Sequence, residues 1–195
     1  MFLETICVLG GEIQNKQGHE ARMRFTAKHF GFEAPSLPDL SLLLPADLQG
    51  GKVKCRVLYH TAVEEISFER YVPKRITSLK LIEASVDYSF KWADRQVLNG
   101  LLAKKNDCDD ILITRNGLVT DTSYSNVVLR KGKEYFTPKP PLLNGTKRQK
   151  LLREGVIGEK EIHRDSLCEY DALYLINALL DIEDGEGIPV GNILP

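Results

Sequence analysis

Hydrophobic and polar positions along this chain fall into short blocks whose period changes. Phe2 to Leu9 (FLETICVL) is a mainly apolar run of strand length, and Gly10-Gly11 breaks it as a hairpin turn would. Glu12-Ile13 continues the extended run only briefly. From His19 to Phe30 the period becomes helical: Met23, Ala27 and Phe30 fall near one face, Arg22, Arg24 and Lys28 lie elsewhere, and Gly31 is a stop. Residues 35–51, rich in Pro, Leu and Asp, read as a short helix or loop. Two alternating runs follow, KVKCRVLYH and EEISFERY, with a turn expected near Thr61 to Val63. They put Val53, Cys55, Val57 and Tyr59 on one side of an antiparallel sheet. Pro73 interrupts, ITSLKLIEA (76–84) carries the chain on, and a domain boundary is expected near residue 85.

Beyond it, Tyr88 to Leu129 is the most structured stretch. It opens with Phe90-Lys91-Trp92 and a helix-like segment. A strand from Ile111 to Thr114, a turn at Asn116-Gly117 and a second extended run to Asn126 follow. Further strands are expected at Val127–Leu129, Tyr135–Thr137, Ala172–Ile176 and Ile188–Val190. Helical character is expected in LLREGVI (151–157) and SLCEY (166–170), and an acidic turn-rich loop at 181–187. The expected fold is a two-domain α/β (α+β) protein: a small antiparallel-sheet domain over 1–85 and a larger β-rich, β-barrel-like domain with helices over 86–195.

Composition narrows the partners. The chain has 195 residues, 43% hydrophobic and 27% charged, with a net charge of -1. A broad basic face for nucleic acid is not indicated, and no apolar run approaches the roughly 20 residues that span a bilayer. MFLETICVLGG is too short and too acidic for a secretory signal. Cys7, Cys55, Cys108 and Cys168 are dispersed, which fits neither a metal site nor a disulfide framework, so reduced and mostly buried thiols are expected. A cytoplasmic protein is expected.

Four features carry candidate chemistry. Lys91 sits between two large rings; desolvation there would lower the pKa of its ammonium and free an amine to attack a carbonyl. The plain alternative is a lysine snorkelling from an amphipathic helix. Asp121 stands among hydroxyl residues and Asn126 at what reads as a strand end, or merely starts a turn. His19 and Arg22 share a helix face, which on local grounds reads as a solvated basic surface. Gly145-Thr146, ahead of a helix, would offer backbone N–H groups and the positive end of the helix dipole to a phosphate.

Taken in order, FLETI, the H-x-x-R helix, the aromatic-flanked lysine, NGLVTDTSYSN, NGTKRQ and INAL resemble class IV aminotransferases. These are the fold-type-IV pyridoxal-phosphate enzymes, among them branched-chain aminotransferase, D-amino-acid aminotransferase and 4-amino-4-deoxychorismate lyase. The similarity runs along nearly the whole chain. It is nearest the lyase branch at Lys91 with Arg95, at Asn144-Gly145 with Arg148-Gln149, and at Asn177-Ala178-Leu179. The resemblance implies that Lys91 binds pyridoxal 5′-phosphate covalently and that Arg22 holds its phosphate. It further implies that the backbone at Thr146 and Lys147, and Ala178 later, close around the same phosphate. Asp121 matches a position usually held by glutamate, the carboxylate that keeps the pyridine nitrogen protonated. Asn126 would brace that loop, and Arg95 would approach the ring oxygen or the substrate. Family members usually carry a further segment ahead of the F-x-E-T strand, whereas this sequence begins at that strand, so substrate specificity is not carried over. The resemblance implies a homodimer acting on a small amino substrate, with no metal. The reactions implied are release of pyruvate and 4-aminobenzoate for folate synthesis or, alternatively, amino-acid transamination; a non-catalytic relative of the fold is a third reading.

Overall fold

A computed structural model describes all 195 residues, Met1 to Pro195, and the chain divides into two compact units. The first comprises Met1–Pro73 with Phe90–Asp94, and the second Lys74–Ser89 with Arg95–Pro195.

The first unit is built on strands β1 (Phe2–Leu9), β2 (Glu12–Ile13), β3 (Lys52–Tyr59) and β4 (Val63–Arg70), ordered β2-β1-β3-β4 and antiparallel throughout. Alternation in β3 works as the pattern predicts: Val53, Cys55, Val57 and Tyr59 are all buried. They meet Phe2, Ile6 and Val8 of β1 and Met23 of helix α1 (Lys16–Phe30) in one core. Helix α1 buries His19, Met23, Thr26 and Ala27, a stripe at helical spacing, while Phe30 stays partly exposed. It begins three residues before the expected His19, because Asn15 turns the chain in a left-handed conformation and its carbonyl accepts from Gly18 N and His19 N. Gly31 closes it in the same conformation, its N–H donating to Ala27 O.

The second unit contains β5 (Leu79–Glu83), helix α2 (Gln96–Leu102), β6 (Asp110–Arg115), β7 (Leu118–Thr122), β8 (Asn126–Lys131), β9 (Glu134–Pro138) and helix α3 (Thr146–Arg153). It ends with β10 (Gly158–Lys160), β11 (Ala172–Ile176), β12 (Ile188–Pro189) and β13 (Ile193–Leu194). Its mixed sheet runs β10-β9-β8-β7-β6-β5-β13, with β11 joined to β8 and β12 to β11. Strand β6 is buried along Asp110–Thr114, as befits a strand covered on both faces. The β6–β7 turn has left-handed backbone at Asn116 (φ 53°) and Gly117 (φ 76°), the mark of a two-residue hairpin.

Two boundaries differ from the sequence expectation. The units part at residue 73, not near 85, because β5 pairs in parallel with β6 and therefore belongs to the second sheet. Phe90–Asp94 then returns to the first unit, where Trp92 pairs with Phe2 and Leu3 N donates to Lys91 O at 2.9 Å. Helix α3 starts at Thr146 rather than Leu151 and ends before Gly155, whose φ of 68° ends it short of the expected Ile157.

Glycine positions offer a paired test. A Cβ on Gly117 would lie 2.3 Å from His163 Nε2 in addition to the φ cost, whereas Gly100, inside α2, has open space around it. Gly117→Ala is expected to lower stability by about 2 kcal/mol and Gly100→Ala to raise it by about 0.5–1 kcal/mol, read from urea unfolding midpoints.

Candidate active site

Lys91 lies in the short segment that β1 holds by backbone hydrogen bonds. The rings on either side are anchored in the first unit. Trp92 stacks on Phe2 with centroids 4.6 Å apart and meets Phe30 edge-on, while Phe90 packs against Phe25, His29 and Phe30. Lys91 is thus carried by an extended segment, not by the helix that a snorkelling lysine would need. Its charge reaches His19, where it helps keep the imidazole neutral.

His19 and Arg22 share a helix face, as their spacing requires, but the face is not a solvated one. Both turn onto Glu4, a fully buried carboxylate in the middle of β1. Arg22 Nε donates to Glu4 Oε1 at 2.8 Å and Nη2 donates to Oε2, while His19 Nδ1 lies 2.6 Å from Oε2. Burial alone would push the Glu4 carboxyl up. The charge of Arg22 and the hydrogen bonds from His19 and Arg22 outweigh it and hold the group at about 2. Glu4 is therefore an acceptor only, so Nδ1 of neutral His19 carries the proton of that hydrogen bond. Burial pushes His19 the other way, below its ordinary value.

In the second unit Asp121 lies in the buried part of β7, and its partner across the ladder is Asn126, the first residue of β8. Asn126 Nδ2 donates both to Asp121 Oδ1 and to Leu143 O, each at 2.8 Å, and Leu143 N donates to Asp121 Oδ2 at 2.9 Å. One amide side chain thus ties the acid to the loop ahead of α3, the brace expected of Asn126. The loop is tight: a Cβ on Gly145 would fall 2.0 Å from Asn126 Oδ1. Burial pushes Asp121 up to about 6, against the hydrogen bonds from Leu143 and Asn126 and the charge of Arg148. This acid is deeply buried and is stabilised mainly by neutral donors.

Thr146 and Lys147 open α3, after an extended Gly145 whose lack of a side chain leaves none at the cap position. The Lys147 ammonium is engaged by Asp181 at 2.5 Å, so the backbone N–H, not the side chain, is what Lys147 can offer an anion. Ala178 sits at the tip of a turn closed by Asn177, whose Oδ1 accepts from Leu179 N and Leu180 N. Arg95 Nη2 donates to Ser123 O at 2.7 Å, on the loop between Asp121 and Asn126.

Asp121, Asn126 and the start of α3 are therefore one connected cluster, and Arg22 and Lys91 lie in the other unit with His19 and Glu4. Two residues escape sequence reasoning. Glu4 is an acid inside an otherwise apolar strand, which is the signal that could have singled it out. Arg148, quoted above only as part of a motif, is a buried guanidinium bonded to Asn144 Oδ1, Pro138 O and Glu159, with its Nε unpartnered.

The value of about 6 at Asp121 lies above the ordinary 3.8, so folding favours the protonated form. That contribution to stability is complete below the ordinary value and is lost as pH rises through about 6. Between pH 4 and pH 8 the wild-type protein is expected to lose about 3 kcal/mol relative to Asp121→Asn, measured by urea unfolding of both without added ligand. A gap independent of pH would contradict the burial argument.

Comparison with known proteins identifies the family. The family model for amino-transferase class IV matches residues 90–183, beginning at the Phe90-Lys91-Trp92 step. An uncharacterized protein of Haemophilus influenzae is 37% identical over 182 residues, covering 91% of this chain and 97% of its own. A crystal structure from Haemophilus somnus, described as a "putative 4-amino-4-deoxychorismate lyase", superimposes with a TM-score of 0.84 at 32% identity, covering 93% of this chain and 97% of that one. A hypothetical aminotransferase from Mycobacterium tuberculosis in its PLP-bound form shares the fold, with a TM-score of 0.74 at 16% identity over 97% of this chain and 82% of that one. The chain belongs to the class IV aminotransferase family.

Proposed function

We propose that this protein is a pyridoxal-phosphate enzyme that converts aminodeoxychorismate to 4-aminobenzoate and pyruvate, working as a homodimer. The cofactor reading rests on Asp121. A fully buried acid held by an amide and a backbone N–H, and raised by that burial, is short of a positive neighbour. A protonated pyridine nitrogen would be such a neighbour. The donor chemistry elsewhere fits the same molecule: an amine at Lys91, a guanidinium at Arg22, and the first-turn backbone of α3 behind Gly145. The lyase reading rests on the 32% identity with the Haemophilus somnus protein of that description.

When bound, pyridoxal phosphate supplies an electron sink for charge developing at the carbon that bears the substrate amine. Lys91 Nζ would be the amine that holds the cofactor and, when free, the base placed to take the proton from that carbon. The backbone hydrogen bond from Leu3 and the packing of Phe90 and Trp92 fix where this amine starts. Asp121 would keep a proton on the ring nitrogen, with Asn126 keeping the acid oriented. Arg22 would hold the phosphate, and the amides at Thr146 and Lys147 offer donors suited to the same kind of anion. Loss of the carbon-bound proton and cleavage of the substrate's ring C–O bond would aromatise that ring to 4-aminobenzoate, the enolpyruvyl group leaving with the bonding electrons and becoming pyruvate on taking up a proton.

Incubation with pyridoxal phosphate followed by borohydride is expected to trap a covalent adduct on Lys91, located by peptide mass, and to trap none in Lys91→Ala. Turnover of aminodeoxychorismate is expected to fall by at least 1,000-fold in that variant, on the order of losing the sole nucleophile and base. Conversion of an amino acid to its oxo acid, with no 4-aminobenzoate released, would select the aminotransferase reading instead.

A further inference from the structure

We infer that Glu4 is a positioning residue for cofactor binding: its carboxylate clamps one edge of the Arg22 guanidinium, so that the opposite edge is presented to the phosphate. The inference rests on the reading of Arg22 as a phosphate contact and adds to it a residue that touches neither cofactor nor substrate.

The geometry is specific. Glu4 meets Arg22 through Nε and Nη2, the side-on edge of the guanidinium, with one donor on each carboxylate oxygen. Two bonds to a planar fork fix its plane as well as its position, leaving the Nη1 edge facing away from Glu4. His19 adds a third bond, and because Glu4 is ionised it sets which imidazole nitrogen carries the proton. The carboxylate itself cannot swing. It projects from the middle of β1, which is paired with β3 along its whole length, and it is fully buried. Tyr59 and Thr26, bonded to each other through their side chains, pack in the same layer, and the charge of Glu4 helps push the Tyr59 hydroxyl up after burial has done so.

A purely stabilising role would not require this arrangement. Buried ion pairs can often be replaced by apolar side chains at no loss of stability, whereas a charged acid inside an apolar strand is useful when a cation must be aimed. Lysine at position 22 could neutralise Glu4 equally well but could not be held in a plane and accept a second anion on its far edge.

The test compares two ligands that differ only in the phosphate and cannot react with Lys91: 4-deoxypyridoxine 5′-phosphate and 4-deoxypyridoxine. Their affinities are measured by titration calorimetry for the wild type, Glu4→Gln and Arg22→Gln. The preference for the phosphorylated ligand is expected to fall roughly tenfold or more in both variants, since a hydrogen bond to a charged group is worth at least that factor. General damage to the fold would weaken both ligands together and leave the preference unchanged. A preference lost in Arg22→Gln but kept in Glu4→Gln overturns the inference while leaving Arg22 as a phosphate contact. A preference kept in Arg22→Gln removes the phosphate reading and the positioning role with it. Should Glu4→Gln not fold, nitrogen-15 spectra of the wild-type side chains decide. On adding the phosphorylated ligand, the Arg22 Nη1 signals are expected to shift while Nε–H stays protected from exchange. Release of Nε–H on binding would show that Glu4 lets go, and would overturn the inference.

Discussion

A carboxylate removed from water must find its compensation in the protein, and this chain meets that constraint twice with opposite outcomes. Glu4 and Asp121 both lie deep in a sheet, and for both the largest influence is burial. Glu4 is surrounded by a guanidinium and an imidazole N–H, so its charge is locked in. Asp121 receives an amide and a backbone N–H, with Arg148 as a weaker influence, so its charge is only partly compensated. The first is finished as an electrostatic site and serves to hold something else. The second is unfinished: burial outweighs the donors around it, and part of its charge is left uncompensated.

Neighbouring backbone carries these acids. β1 places Glu4 between Phe2 and Ile6 on the face that α1 covers, so the first turns of α1 can reach it. β7 and β8 place Asp121 opposite Asn126, and Asn126 reaches on to the loop before α3. In both places a residue five to twenty-two positions away in sequence is brought within hydrogen-bond distance by strand pairing, a helix face or the loop before α3, not by adjacency in the chain.

Much of this was legible from the pattern of residues. Apolar alternation in β3, the turn at Asn116-Gly117 and the H-x-x-R spacing each translate directly into geometry, because period and turn chemistry are local. What was not legible is non-local. Nothing near His19 and Arg22 says whether their shared face meets water or an acid from another strand, so a solvated surface was the natural local reading and proved wrong. The start of α3 was placed too late because the apolar signal begins at Leu151, while the helix is initiated by the conformation of Gly145. The boundary near 85 missed because parallel pairing of β5 with β6 depends on residues some 30 positions further on.

That last point bears on how the protein can be divided. The first unit is not a contiguous piece of chain: it needs Phe90–Asp94, whose Trp92 ring lies on Phe2 and whose backbone pairs with the start of β1. A gene cut after β4 would yield a sheet with one aromatic layer missing, and a second fragment that had lost its lysine to neither side cleanly. Lys91 is thus wired into the topology of the chain as a whole: it belongs to one unit, while the chain on both sides of its segment belongs to the other.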